Sequence, residues 1–189
     1  VRNLAFIGKK RAGKDSAAEF LVREFKYTRL AFADDLKRMA IETDPYVPTV
    51  PGVTVRLSTL IADVGWEYAK DHYPEVRRLL QRMGQTVREL DPDFWIRPVI
   101  RRVKAAQVRS IPVVVTDVRY QNEAEALRDK GFTLVRIVRP VTLATPVRET
   151  LDRLSAHPSE TELDSFPADT TVTNDGTLDQ LRVKVRALA

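Results

Sequence analysis

Leu4-Ala5-Phe6-Ile7-Gly8-Lys9-Lys10-Arg11-Ala12-Gly13-Lys14-Asp15-Ser16 is the stretch on which the fold turns. Its first four residues form an unbroken apolar run, as in a strand buried on both faces. Beyond the loop, Ala17, Phe20, Leu21 and Phe25 recur at the i, i+3, i+4, i+8 spacing of an amphipathic helix that begins near Lys14. A strand, a glycine loop and a helix in that order build a cradle for phosphate. Gly8 and Gly13 permit backbone angles that other residues resist, so successive N–H groups can converge on an anion at the helix N-terminus. Lys14 adds a movable full charge for the outer phosphates. Asp15 stands where such loops usually carry Ser or Thr, with a hydroxyl following at Ser16. A carboxylate there could hold Mg²⁺ directly or through water, or orient an acceptor phosphate, while Ser16 hydrogen-bonds a phosphate oxygen. The competing reading is a tight turn with Lys14 solvated at a helix start.

Working outward, Ile111 to Thr116 is a second buried-strand candidate, and it ends in Asp117-Val118-Arg119. Ligands of open α/β sheets gather at the carboxyl ends of strands. Asp117 is therefore a candidate to bind Mg²⁺ through water and Arg119 to meet a phosphate; the alternative has Asp117 capping a turn and Arg119 pairing at the surface. A helix from about Asn122 to Lys130 and a strand over Thr133 to Val138 continue the βαβ rhythm. Near the C-terminus, Thr171-Val172-Thr173 leads into Asn174-Asp175-Gly176, and Thr177 with Gln180 makes a capping box for a final helix. Strand-like runs near residues 4, 29, 113, 134 and 171 predict an α/β fold. Its form is a three-layer sandwich, about five mainly parallel strands with helices on both faces. The Pro-rich stretch Asp44 to Gly52 reads as a surface connection.

Composition narrows the function. The 189 residues, 43% of them apolar, suit one domain with one substantial core. Cysteine is absent, which excludes disulfides and thiolate zinc, and His72 and His157 alone argue against a histidine-rich metal centre. A metal is therefore expected to be a hard cation on oxygen ligands. No apolar run approaches about 18 residues and no charged-then-apolar leader is present, so neither a membrane span nor a secretory signal is expected. The expected location is the cytoplasm. A formal net charge of +5, with the arginines dispersed, suits an anionic partner. That partner is either nucleic acid or several phosphates on small molecules, between which charge alone does not choose; the lack of a basic arm or recognised nucleic-acid module argues against stable nucleic-acid binding. A homodimer is compatible with the sequence.

The helix Glu75 to Leu90 places Val76, Leu79, Leu80, Met83, Val87 and Leu90 within an arc of about 100°, which is expected to be buried. Along one edge of that arc run Arg77, Gln81, Gly84 and Arg88, a plausible monophosphate pocket or a boundary packed on another helix. Gly84 costs about 1 kcal/mol of helix propensity, which close approach of a ligand or backbone would explain. Asp91-Pro92 offers a cap and an N1 proline for the next helix, with Phe94 and Trp95 in its first turn. Trp95 is a candidate to stack on a nucleobase or is simply core. Arg139, Arg148 and Arg153, with His157-Pro158-Ser159-Glu160, fit either a mobile lid or an exposed loop.

Together these motifs resemble the deoxynucleoside monophosphate kinases of tailed bacteriophages, within the P-loop kinase group. The resemblance runs through Gly8 to Ser16 with its Lys14-Asp15 pair, Phe32-Ala33-Asp34-Asp35-Leu36-Lys37, Leu80 to Arg88 with Trp95 following, Asp117 to Glu123, His157 to Glu160, and Asn174-Asp175-Gly176. It implies a single domain over 1–189, with a monophosphate-binding helical insertion at about 42–108 and a lid at about 140–165. It further implies ATP and Mg²⁺ at Arg11, Gly13, Lys14, Asp15 and Ser16, and Lys10, Lys37, Arg88 and Trp95 facing the acceptor nucleotide. Arg119 would then lie near the phosphates, completing a catalytic set with Lys14 and Asp15; Ser159 and Glu160 would belong to the lid, and Asn174 to Gly176 would lie near the adenine. The chain has Gly84-Gln85-Thr86 where the resemblance leads one to expect Gly-Thr-Glu. A kinase for another small acceptor, such as dephospho-coenzyme A, is the alternative enzyme, and a nucleotide-gated nucleic-acid-binding protein the alternative of another class.

Overall fold

The computed structural model describes residues 2–140 and 161–189. Two compact units divide the chain, Val1–Phe32 with Val99–Ala189, and Ala33–Pro98.

The first unit is built on β1, Asn3–Ile7, whose residues Leu4 to Ile7 are wholly inaccessible. The strand is followed by α1 (Lys14–Phe25) and β2 (Thr28–Leu30). Further along come α5 (Ile96–Val108), β5 (Val113–Val115), α6 (Gln121–Arg128), β6 (Phe132–Val138), β7 (Thr170–Thr173) and α7 (Leu178–Arg186). The five strands form one sheet in the order β2-β5-β1-β6-β7, and every pairing is parallel. All five expected strands are present, and the fold is that of the P-loop kinases. Side chains of one sheet face, Leu4, Phe6, Val114, Val135, Ile137 and Val172, pack in a single cluster with Ala17, Phe20 and Leu21 of α1 and Leu181 and Val185 of α7. The alternate residues Ala5, Ile7, Val113, Val115 and Leu134 are buried too, as are Val99 and Val103 of α5 and Ala124 and Leu127 of α6. A strand buried on both faces needs apolar residues throughout, which is why its sequence runs without alternation.

The second unit holds most of α2 (Phe32–Thr43), the hairpin β3 (Tyr46–Val50) and β4 (Val53–Arg56), α3 (Leu57–His72) and α4 (Pro74–Leu90). Its core joins Ala40, Val47, Leu57, Leu60, Ala69, Val76 and Leu80. The stretch taken as a surface connection is thus largely strand. Val47, Val50, Val53 and Val55 favour extended backbone, Gly52 at φ 78° makes the turn, and Val47 is 2% exposed. Pro48 is tolerated because a two-stranded sheet leaves each strand an open edge.

Two other expectations are corrected. Burial along α4 stops short of its end: Val76 and Leu80 are buried, whereas Leu90 is 84% exposed, because the helix outruns the core it packs on. Asp91-Pro92 does not start α5. The Asp91 carboxylate accepts the Asp93 N–H and pairs with Arg97, which holds residues 91–95 in a turn, and the Asp93 carbonyl opens the helix by accepting from Ile96 and Arg97.

Candidate active site

The loop between β1 and α1 takes its shape from its glycines. Gly8 lies at φ 136°, and a Cβ there would stand 2.2 Å from the Ile137 carbonyl oxygen, so β6 leaves no room for a side chain. Arg11 adopts φ 61°, uncommon for a residue other than glycine, and Ala12 N–H closes a turn on Lys9 O at 3.2 Å. Gly13 at φ 108° is the N-cap of α1 and gives no side-chain cap. The first-turn N–H groups of α1 therefore lack the usual side-chain acceptor at their cap, and the helix dipole adds positive potential there. Lys14 folds back over the loop, its Nζ donating to Gly8 O at 2.6 Å and Lys9 O at 2.8 Å. Lys9 pairs with Asp164 at 2.6 Å.

A cavity of about 340 Å³ opens at this helix start. Arg11, Gly13, Lys14, Asp15, Ser16, Asn174 and Gly176 line it, so every residue assigned to ATP from the sequence meets in one place. Arg139 also lines it, with Leu178 and Leu181 of α7. These two leucines were not singled out in the sequence, which marked only the capping box of a last helix. Leu178 is 48% exposed, an apolar surface beside the charged Arg11, Lys14, Asp15 and Arg139.

The turn from β7 to α7 is tightly bonded. Asn174 Nδ2 donates to Ala12 O at 2.9 Å, Lys184 Nζ donates to Thr173 O and pairs with Asp175 at 2.7 Å, and Thr177 and Gln180 cap each other as the sequence predicts. The Lys184 ammonium bonded to Asp175 holds that carboxyl below the usual carboxylate range.

Asp117 follows β5, and its Oδ1 accepts the Phe32 N–H at 2.9 Å. It thus caps the start of α2. Just before it, Thr116 is 1% exposed, and its hydroxyl has no hydrogen-bond partner among the described residues. Arg119 is exposed, and its backbone N–H donates to Glu123 Oε2 at 2.8 Å; Glu123, 2% exposed, also accepts from Tyr120 N–H. Among the described residues no cluster of three or more metal-ligating side chains exists. The oxygen donors Asp15 and Ser16 in the cavity fit Mg²⁺, which takes one or two carboxylates and fills its shell with phosphate oxygens and water, whereas Asp117 after β5 is not among the residues that line it.

The acceptor candidates fall in the second unit, except Lys10, which lies in the loop. Lys37 Nζ stands 5.7 Å from the Trp66 ring centroid, an aromatic partner unmarked by any motif. A Cβ at Gly84 would lie 3.2 Å from Leu36 Cδ2, so α2 packs close at the gap, and the Gly84 carbonyl accepts the Trp95 Nε1–H at 3.1 Å. Trp95 is 3% exposed. Gln81 and Arg88 are half-buried on α4, and Arg88 reaches Pro92 O at 3.3 Å. Arg148, Arg153, Ser159 and Glu160, with His157, lie outside the described residues.

A family model described as deoxynucleotide monophosphate kinase matches residues 52–185, well over half of the chain. A protein of Acanthamoeba polyphaga mimivirus, named "Putative deoxynucleotide monophosphate kinase", is 25% identical over 193 residues, covering 94% of this chain and 90% of that protein. ORF77 of Ictalurid herpesvirus 1 (strain Auburn) is 36% identical over 106 residues, which is 56% of this chain and only 44% of the herpesvirus protein. Among solved structures, the dephospho-CoA kinase from Campylobacter jejuni aligns with a TM-score of 0.54 at 10% identity, covering 100% of this chain and 96% of its own, a likeness of fold alone.

Proposed function

The chain belongs to the deoxynucleotide monophosphate kinase family, and from that premise we propose that it transfers the γ-phosphoryl group of ATP to a deoxynucleoside monophosphate, giving ADP and the diphosphate. The observation that carries this reading is the cavity at the uncapped start of α1, where Arg11, Gly13, Lys14, Asp15, Ser16, Asn174 and Gly176 converge.

The chemistry asks little of a general base, because a monophosphate oxygen is already largely ionised at neutral pH. That oxygen attacks the γ-phosphorus in line; the new P–O bond forms as the bond to the β,γ-bridging oxygen breaks, and its electron pair leaves on ADP. The loop N–H groups at Gly13 and the first turn of α1 hold the donor phosphates, and Lys14 exchanges its two carbonyl partners for their oxygens. Arg11 and Arg139, both lining the cavity, offset the charge that spreads over the transferring group. Asp15 with Ser16, and Asp117, would hold Mg²⁺, which when bound neutralises phosphate charge and aligns donor with acceptor. Arg119 serves the phosphates from the turn that Glu123 secures. Lys10, Lys37, Gln81, Gly84, Arg88 and Trp95 are the residues proposed for the acceptor, and Arg148, Arg153, Ser159 and Glu160 for the lid.

ADP release from ATP and Mg²⁺, measured against the four common deoxynucleoside monophosphates, their ribose counterparts and dephospho-coenzyme A, tests the reading. Turnover with at least one deoxynucleotide, lost by orders of magnitude in a folded Lys14→Ala protein, is expected. Turnover with dephospho-coenzyme A alone would replace the acceptor, and normal turnover in Lys14→Ala would remove the lysine from the mechanism.

A further inference from the structure

We infer that Asn174 is a positioning residue that aims the phosphate loop, acting through the Ala12–Gly13 peptide rather than on the base of the nucleotide; this rests on the donor site proposed above. Its amide Nδ2–H is bonded to Ala12 O at 2.9 Å. A trans peptide directs its C=O and N–H to opposite sides, so fixing the Ala12 carbonyl toward Asn174 turns the Gly13 N–H away from it. Gly13 lines the cavity, and that N–H is one of the donors a phosphate would meet. Asn174 is itself well anchored, since its backbone N–H donates to Val138 O at 2.7 Å, extending the β6–β7 ladder.

Two neighbouring facts point the same way. A Cβ at Gly13 would stand 2.5 Å from Asn174 Nδ2 and 3.3 Å from Leu181 Cδ2, so the amide occupies the space a side chain would need, and loop and asparagine are fitted to each other. The rest of the turn is committed internally: Asp175 pairs with Lys184, Thr177 and Gln180 cap α7, and a Cβ at Gly176 would fall 1.8 Å from Gln180 Oε1. The turn from β7 is a fixed post, and its reach toward the phosphate loop is the Asn174 amide.

The inference separates two ligands that together make up the donor. Inorganic tripolyphosphate carries the phosphates without a base, and adenosine carries the base without phosphates. Each is titrated as a competitive inhibitor against ATP with the wild-type chain, Asn174→Ala and Asn174→Leu, the last keeping the size and adding no charge but losing the donor. Both variants are expected to weaken tripolyphosphate about tenfold, the worth of one hydrogen bond, and to leave adenosine unchanged. The opposite split, adenosine weakened and tripolyphosphate retained, would make Asn174 a base contact and overturn the inference, as would no change in either. A wild type that tripolyphosphate fails to inhibit would instead remove the donor site itself, and the inference with it. A double-mutant cycle guards against a variant that merely folds poorly: Gly13→Ala should cost less binding in the Asn174→Ala background, where the 2.5 Å clash is gone, and strict additivity would overturn the coupling.

Discussion

Single positions carry much of what this molecule can be tested on. Gly8→Ala would drive a Cβ into the Ile137 carbonyl at an unfavourable φ, and backbone on both sides leaves nothing flexible to move. A loss of about 3 kcal/mol or more in denaturant unfolding is expected, together with loss of activity. Thr116→Val has the opposite expectation: it removes a buried hydroxyl that has no partner among the described residues, so stability should rise by about 1 kcal/mol at nearly constant volume. A fall in turnover without a change in stability would instead assign that hydroxyl to the site. Acid stability should depend on three carboxyls. Asp44 is lowered by the Ser58 N–H, Asp91 by Arg97 and Asp175 by Lys184. A carboxyl with a folded pKa below its unfolded value stabilises above that unfolded value, and the contribution disappears as pH falls through the folded one. The melting temperature should therefore hold from neutrality down to near the ordinary value of 3.8 and fall below it, with a shallower fall in Asp44→Asn. The Gly8-to-Ser16 loop was legible in the sequence because its geometry is local: glycine spacing and the helix start fix it. Leu178 was not legible as its neighbour, and Arg139 was read only as part of a lid or an exposed loop, because both reach the cavity through the β1–β6–β7 register.

Among elements, the five strands of the main sheet and the helices α1, α4, α6 and α7 could be read directly, since each combines the proper apolar period with a recognisable boundary. The capping box of α7 is the plainest case, and Thr177→Ala is expected to cost about 1 kcal/mol, seen as a lower melting temperature with the fold retained. The β3–β4 hairpin escaped because prolines at 48 and 51 outweighed the surrounding valines, although proline is excluded only where a strand has neighbours on both sides. The start of α5 was misplaced for a related reason: Asp91 has the chemistry of a cap, but Arg97 claims its carboxylate. In α4 the period was right while the extent of burial was not, because periodicity says which face is apolar and not how far the partner extends.

For the whole molecule, parallel β pairings between residues far apart in sequence build the first unit, whereas the second is assembled from consecutive elements between Ala33 and Pro98. Both tryptophans of the chain, Trp66 and Trp95, belong to that second unit. One has its indole N–H bonded to Gly84 and is all but inaccessible; the other is half-buried beside the Lys37 ammonium. Intrinsic indole fluorescence is therefore a reporter of residues 33–98 alone, while far-ultraviolet circular dichroism sums the helices and strands of both units. Followed through a urea titration, coincident curves would mean that the chain melts as one cooperative body, and an earlier loss of the blue-shifted Trp95 emission would give the helical segment a melting transition of its own.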